Sequence, residues 1–163
     1  IAEFEKLLSP RTKIVAITQM SNALGTIVPI REVIKLAHAR GIPVLVDGSQ
    51  AAVHMAIDVQ ALDADFFVFT GHKTYGPTGI GVLYAKAEHL SRMPPYQGGG
   101  EMINEVTMEG ISYNNPPHRF EAGTPAIAEA IGLGAALDYM PAIGRENIAA
   151  PADDVREYAD QRL

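Results

Sequence analysis

The chain contains no cysteine. Within these 163 residues that excludes a disulfide, a cysteine-ligated zinc and a thiol nucleophile, and by itself it identifies no compartment. Positive charge is also scarce: 13 Lys and Arg stand against 19 Asp and Glu, for a formal net charge of -6. No basic cluster offsets that balance, which argues against a phosphate-backbone partner such as DNA. No apolar run approaches the roughly 20 residues that a bilayer-crossing helix needs, and no signal-peptide pattern opens the chain. A cytoplasmic protein with no nucleic-acid or membrane partner is therefore expected. There is no internal repeat and no low-complexity segment.

What the chain does have is an ordinary globular composition, 47% hydrophobic and 20% charged, and enough length for one α/β domain with its own core. Lys13 to Ile17 is a short β-branched run and reads as a buried strand. Pro29 to Arg40 carries Ile30, Val33, Ile34 and Ala37 at helical spacing, with Pro29 near the start and Gly41 just past the end. Pro43 to Val46 is the next strand and ends at Asp47-Gly48. Val59 to Leu62 is a turn or short helix, Asp65 to Phe69 a third strand and Gly79 to Ala85 a fourth. Strands alternating with helices predict a mostly parallel sheet with helices on both faces. From Met93 to Thr124 the punctuation of Pro94-Pro95, Gly98-Gly99-Gly100 and Pro116-Pro117 predicts a long irregular stretch, of the kind that is functional or clamps onto a neighbour. Pro125 opens a helix through Tyr139, and Gly144 to Leu163 is a final acidic helical stretch. Ile1 opens the chain without a Met inside a helical pattern, and Leu163 ends it inside another, so an interior fragment is expected.

Three polar groups fall at the ends of predicted strands: Asn22, Asp47 and Lys73. Ligands of open α/β sheets bind outside the carboxyl ends of the strands, so these loops are expected to converge. An acid and a lysine in one crevice also describe a structural salt bridge, and for Asp47 alone both readings stand. Phe69 to Pro77 is dense in side-chain donors: Thr70 and His72 alternate, can face one anion, and have Lys73 just beyond. The competing reading is a solvated turn. A Walker A loop is excluded because His72 interrupts Gly71 and Lys73, and Gly79-x-Gly81 lacks the third glycine of a dinucleotide fingerprint. His54 reads as structural or rim, and His38, His89 and His118 as surface residues. Arg119 reads as structural support, through Glu121 or another neighbour, in preference to an anion site. No metal site is read.

Val44-Leu45-Val46-Asp47-Gly48-Ser49-Gln50-Ala51, followed by Phe67 through Gly81, closely resembles the class V aminotransferases, and within them the Suf-type cysteine desulfurases. Ser21-Asn22-Ala23-Leu24-Gly25-Thr26 and Arg119-Phe120-Glu121-Ala122-Gly123-Thr124-Pro125 match the same family in the same order. The resemblance implies the type I fold of pyridoxal phosphate (PLP) dependent transferases: a mostly parallel mixed sheet flanked by helices, here the large domain only. Residues 1–144 would be the PLP-binding large domain, incomplete at its N-terminus, and 145–163 the start of the helix leading to a C-terminal small domain. Lys73 would hold PLP as an internal aldimine and shuttle the substrate Cα proton. Asp47 would pair with the pyridine nitrogen, and Gln50 would bond the phenolic oxygen with Asn22 beside it. Thr70 and His72 would hold the phosphate, and Thr124 would reach the phosphate of a neighbouring subunit in a homodimer. The implied activity is conversion of L-cysteine to L-alanine, with sulfur passed as a persulfide to a SufE- or SufU-type acceptor for iron–sulfur cluster assembly. A selenocysteine lyase or another class V transaminase or lyase is the alternative, and a catalytically inactive interaction module of the same fold is the weaker one. The family's sulfur-carrying cysteine, its carboxylate-binding arginine and the histidine that stacks on the pyridine ring have no counterpart here. The fragment alone is therefore expected to be inactive.

Overall fold

Short runs of β-branched and aromatic residues set the sheet, and the computed structural model describes them within residues 1–162. In chain order the elements are α1 (Ala2–Leu7), β1 (Val15–Thr18), α2 (Ile30–His38), β2 (Val44–Asp47), α3 (Ala51–His54), α4 (Val59–Leu62), β3 (Phe66–Thr70) and β4 (Gly81–Ala85). They continue with α5 (Ala87–Arg92), β5 (Ile103–Val106), β6 (Ile111–Tyr113), α6 (Ile127–Ile143) and α7 (Arg145–Asp160). Leu163, the end of the expected final helix, lies outside the described residues.

The main sheet has the order β1-β2-β3-β4. The first three strands are parallel, and β4 runs antiparallel to β3, with Thr70 opposite Gly81 and Phe66 opposite Ala85. The reversal follows from length: only residues 71–80 separate β3 from β4, fewer than a parallel crossover needs.

Alternation along the strands sorts the two faces. Val15, Val44, Val46 and Phe67 point to the face covered by α2, which buries Ile30, Val33, Ile34 and Ala37 against them. That spacing of three and four residues is the apolar stripe of a helix laid on a sheet. The helix stops where Gly41, at φ +67°, turns the chain so that the Ile42 N–H reaches back to the Ala37 carbonyl at 3.0 Å. Toward β4 the same face meets α6 and α7 less closely. A cavity of about 270 Å³ remains there among Phe67, Phe69, Tyr84, Leu137 and Met140. On the opposite face α5 covers Phe66, whose ring stacks on His89 at 5.1 Å, while Ala16, Thr18 and Leu83 are exposed.

The amino ends of the strands carry a charged hub that the sequence reading did not anticipate. His38 and His89, expected at the surface, are half-buried against Asp65: His38 Nε2 lies 2.7 Å from Asp65 Oδ2 and His89 Nε2 lies 3.0 Å from Oδ1. The Val44 N–H donates to Asp65 at 2.8 Å, and Lys86 Nζ lies 3.3 Å from it while also pairing with Asp63. Burial alone would push the Asp65 carboxyl up. The bonds from His38, His89 and Val44 outweigh it and hold the carboxyl well below the usual carboxylate range.

The stretch expected to be irregular from Met93 to Thr124 contains a hairpin. β5 and β6 pair antiparallel, joined by a turn in which Thr107 Oγ1 accepts the N–H groups of Glu109 and Gly110, both at 3.2 Å. Arg119 staples the base of this segment, donating to the carbonyl of Asn114 through Nε and to that of Ser91 through Nη1, each at 3.2 Å. The support role expected of Arg119 thus runs through backbone carbonyls. Among the described residues no helix is long and apolar enough to cross a membrane.

Candidate active site

At the carboxyl end of the sheet, register brings Asp47 and Thr70 onto one face. Thr18 on β1 is opposite Asp47 on β2, and Asp47 is opposite Val68 on β3. Thr70 lies two residues beyond Val68, so its side chain shares the face of Asp47, about 7 Å further along and one strand, about 5 Å, across. The backbone closes around these ends. The Gln19 N–H donates to the Asp47 carbonyl at 2.9 Å, and the Gly48 N–H donates to the Val68 carbonyl at 2.8 Å. Gly48 is required there, because a Cβ would run into the Phe67 ring.

Asp47 is half-buried, and its Oδ1 accepts the Ser49 N–H at 2.9 Å. This Asp-to-second-residue bond fixes the carboxylate at the mouth of the crevice. Thr70 Oγ1 lies 2.9 Å from His72 Nδ1, so the two expected phosphate ligands touch each other. They line an open cleft of about 640 Å³ with Ser49, Val68 and the 78–81 segment. Two further hydroxyls, Ser49 and Thr78, thus join the expected pair. The Asp-x-Ser spacing was the available signal for Ser49; nothing in the local pattern marked Thr78.

Lys73 closes a 3₁₀ turn, Gly71–Lys73, directly after β3 and is half-buried. Gln50 is half-buried at the N-cap of α3, three residues after Asp47. Asn22 is exposed in the turn after β1, which Ser21 braces by accepting the Ala23 N–H on its hydroxyl at 3.2 Å. Thr124 is exposed ahead of α6, and its hydroxyl has no hydrogen-bond partner among the described residues. The segment before it is tied back by the Gly123 N–H to the Gly100 carbonyl at 3.0 Å. Asp47, Thr70, His72 and Lys73 therefore gather at the ends of two neighbouring strands; Thr124 stands apart from them in contact terms.

The family model of the class V aminotransferases matches residues 1–163. The chain belongs to that family. A cysteine desulfurase of Dickeya dadantii is 56% identical over 160 residues, 98% of this chain and 39% of its own length. Among solved structures, the cysteine desulfurase CsdA of Escherichia coli superposes with a TM-score of 0.84 at 48% identity, over 87% of this chain and 36% of that one. A mutant of C-DES with glycine covalently linked to its PLP cofactor gives 0.78 at 29% identity, over 88% and 39%. The class V chain thus has the α/β fold of PLP-dependent cysteine desulfurases and spans about two-fifths of the length of these relatives.

Proposed function

We propose that these residues form the PLP-binding part of a cysteine desulfurase. The observation that carries the reading is that Asp47 on β2 and Thr70 on β3 share one sheet face, with His72 against Thr70 and the Lys73 turn following β3 directly. The donor set fits the cofactor at both ends. A phosphate takes hydroxyl and imidazole donors of the kind that line the 640 Å³ cleft, and a pyridine nitrogen takes the carboxylate of Asp47. When bound, PLP supplies an electron sink for the substrate Cα.

The chain's own residues do the rest in this reading. Lys73 holds the cofactor through Nζ and takes and returns the substrate Cα proton. Asp47 keeps the ring nitrogen cationic. Gln50 bonds the phenolic oxygen, with Asn22 beside it, and Thr70 and His72 anchor the phosphate. Thr124 reaches the phosphate of a second subunit, making the working form a homodimer. The substrate is L-cysteine, which leaves as L-alanine while its sulfur passes to a cysteine thiol as a persulfide. That thiol belongs to the whole protein outside these residues, which hold no cysteine. A SufE- or SufU-type acceptor, iron–sulfur cluster assembly and a cytoplasmic setting follow from the same family likeness.

The test is the visible absorbance of the full-length protein. The cofactor band is expected to disappear on Lys73→Ala; a band that persists unchanged would overturn the assignment of Lys73. Sulfide release from cysteine, compared with selenide release from selenocysteine, separates the desulfurase from a selenocysteine lyase.

A further inference from the structure

Between β3 and β4 the chain makes a closed loop, and its most buried polar side chain is Thr74, 1% exposed. No signal in the sequence singled it out. Its hydroxyl donates inward, to the Gly71 carbonyl at 3.0 Å, with the Thr70 carbonyl 3.3 Å away. The Gly71 carbonyl also accepts the Thr74 N–H at 2.9 Å and the Gly76 N–H at 3.0 Å. Three donors therefore converge on one oxygen, which has only two lone pairs. The Gly71 N–H is held at the same time by the Ile80 carbonyl at 2.9 Å, and a Cβ on Gly71 would come within 2.9 Å of the Pro77 carbonyl oxygen. Immediately after Thr74 the loop holds Tyr75 at φ +60°, a left-handed conformation that a non-glycine residue keeps only where its surroundings enforce it.

Lys73 lies inside this frame. Its Cα is bracketed by the Gly71 carbonyl on one side and by the two Thr74 groups bonded to that carbonyl on the other. A lysine side chain has four flexible carbons, so the reach of its amine depends on where its Cα is held. Thr74 also lines the 270 Å³ cavity, with Phe67, Phe69, Tyr84 and Leu137.

We propose that Thr74 is a positioning residue for Lys73: its buried hydroxyl locks the 71–74 turn and so sets the point from which the Lys73 amine reaches the reacting atoms. The proposal rests on the reading of Lys73 given above. Replacing the hydroxyl by a methyl preserves the shape of the side chain but leaves the Gly71 carbonyl with its two N–H donors alone. The turn then loses its one side-chain brace and is held by backbone bonds alone, next to the left-handed Tyr75.

The experiment uses the full-length, cofactor-loaded protein with L-cysteine as substrate and compares Thr74→Val, Thr74→Ala and Thr74→Ser. Activity is expressed per bound cofactor, so that loss of folded protein does not count as loss of rate. Expected for Thr74→Val and Thr74→Ala is a fall in kcat of about tenfold at nearly constant KM, the order of effect for a displacement well under the 1 Å that costs about a hundredfold. Thr74→Ser, which keeps the hydroxyl, is expected to restore the rate. Equal kcat per bound cofactor in Val, Ser and wild type would overturn the proposal and leave Thr74 as a space-filling residue. Lys73→Ala run in parallel separates the two claims: if borohydride reduction fixes the cofactor to the chain in this variant as in wild type, the reading of Lys73 fails and the role of Thr74 falls with it.

Discussion

Asp47, Thr70, His72 and Lys73 could be placed from sequence because each follows a hydrophobic run whose end is easy to locate, and the carboxyl ends of parallel strands lie side by side. What sequence could not show was how each is held. The buried hydroxyl of Thr74 turns inward to a backbone carbonyl, a partner that no side-chain pattern marks. His38 and His89 were misread for the opposite reason. Each sits on a helix, but its acceptor, Asp65, is more than twenty residues away and opens a hydrophobic strand. At this scale the sharpest prediction concerns Gly48. A methyl group there collides with the Phe67 ring, and Phe67 is 3% exposed with little room to retreat. Gly48→Ala is expected to destabilise the protein by about 3 kcal/mol, the upper part of the range for overpacked cores. Chemical denaturation of the full-length protein measures it, and a loss below about 0.5 kcal/mol would mean that the ring yields freely.

The parallel strands were legible as short runs of β-branched and aromatic residues, and α2 by apolar residues recurring every three to four. Direction was not: periodicity marks β4 as a strand but is the same for either orientation. Only the shortness of the 71–80 connection carried that information. The hairpin of β5 and β6 was hidden because its strands are short and mostly exposed, and are set by the Thr107 turn more than by burial. The joint between α2, β2 and α5 supplies a prediction of its own. Asp65 binds groups from all three, and its folded-state pKa is depressed. Its contribution is therefore complete above the unfolded value near 4, and is lost progressively as pH falls below that value toward the folded one. Urea unfolding is expected to show a stability loss between pH 5 and pH 3 that is smaller in Asp65→Asn. At neutral pH that variant is expected to cost on the order of 3 kcal/mol, because it strands the basic partners of the carboxylate. An identical acid profile in the two proteins would remove Asp65 from the account.

Among the described residues, α6 and the hairpin are two of the places where apolar surface is left open. On α6, Ile127 is 59% exposed and Ile131 71%, although Leu133, Ala136 and Met140 on the same helix are buried; on the hairpin, Met108 is 98% exposed. A helix that is apolar all round belongs in an interior, and exposed apolar area of this kind promotes association. Residues 1–163 expressed alone are accordingly expected to self-associate and to bind a hydrophobic dye. A monomeric species in sedimentation, with no dye binding, would contradict this. The closed loop around Lys73 has a consequence for assembly as well. Thr70 and Gly81 pair across eleven residues of chain, whereas Val15 and Val44 pair across twenty-nine. Loop-closure entropy favours the shorter connection by about 0.9 kcal/mol, so the segment that carries the lysine is the easiest part of the sheet to close. Its pairing draws on neighbours in the chain, while Asp47 on β2 arrives through contacts of longer range. The two halves of the site thus differ in origin: one is local and forms with its own strand pair, the other depends on the rest of the sheet being in register.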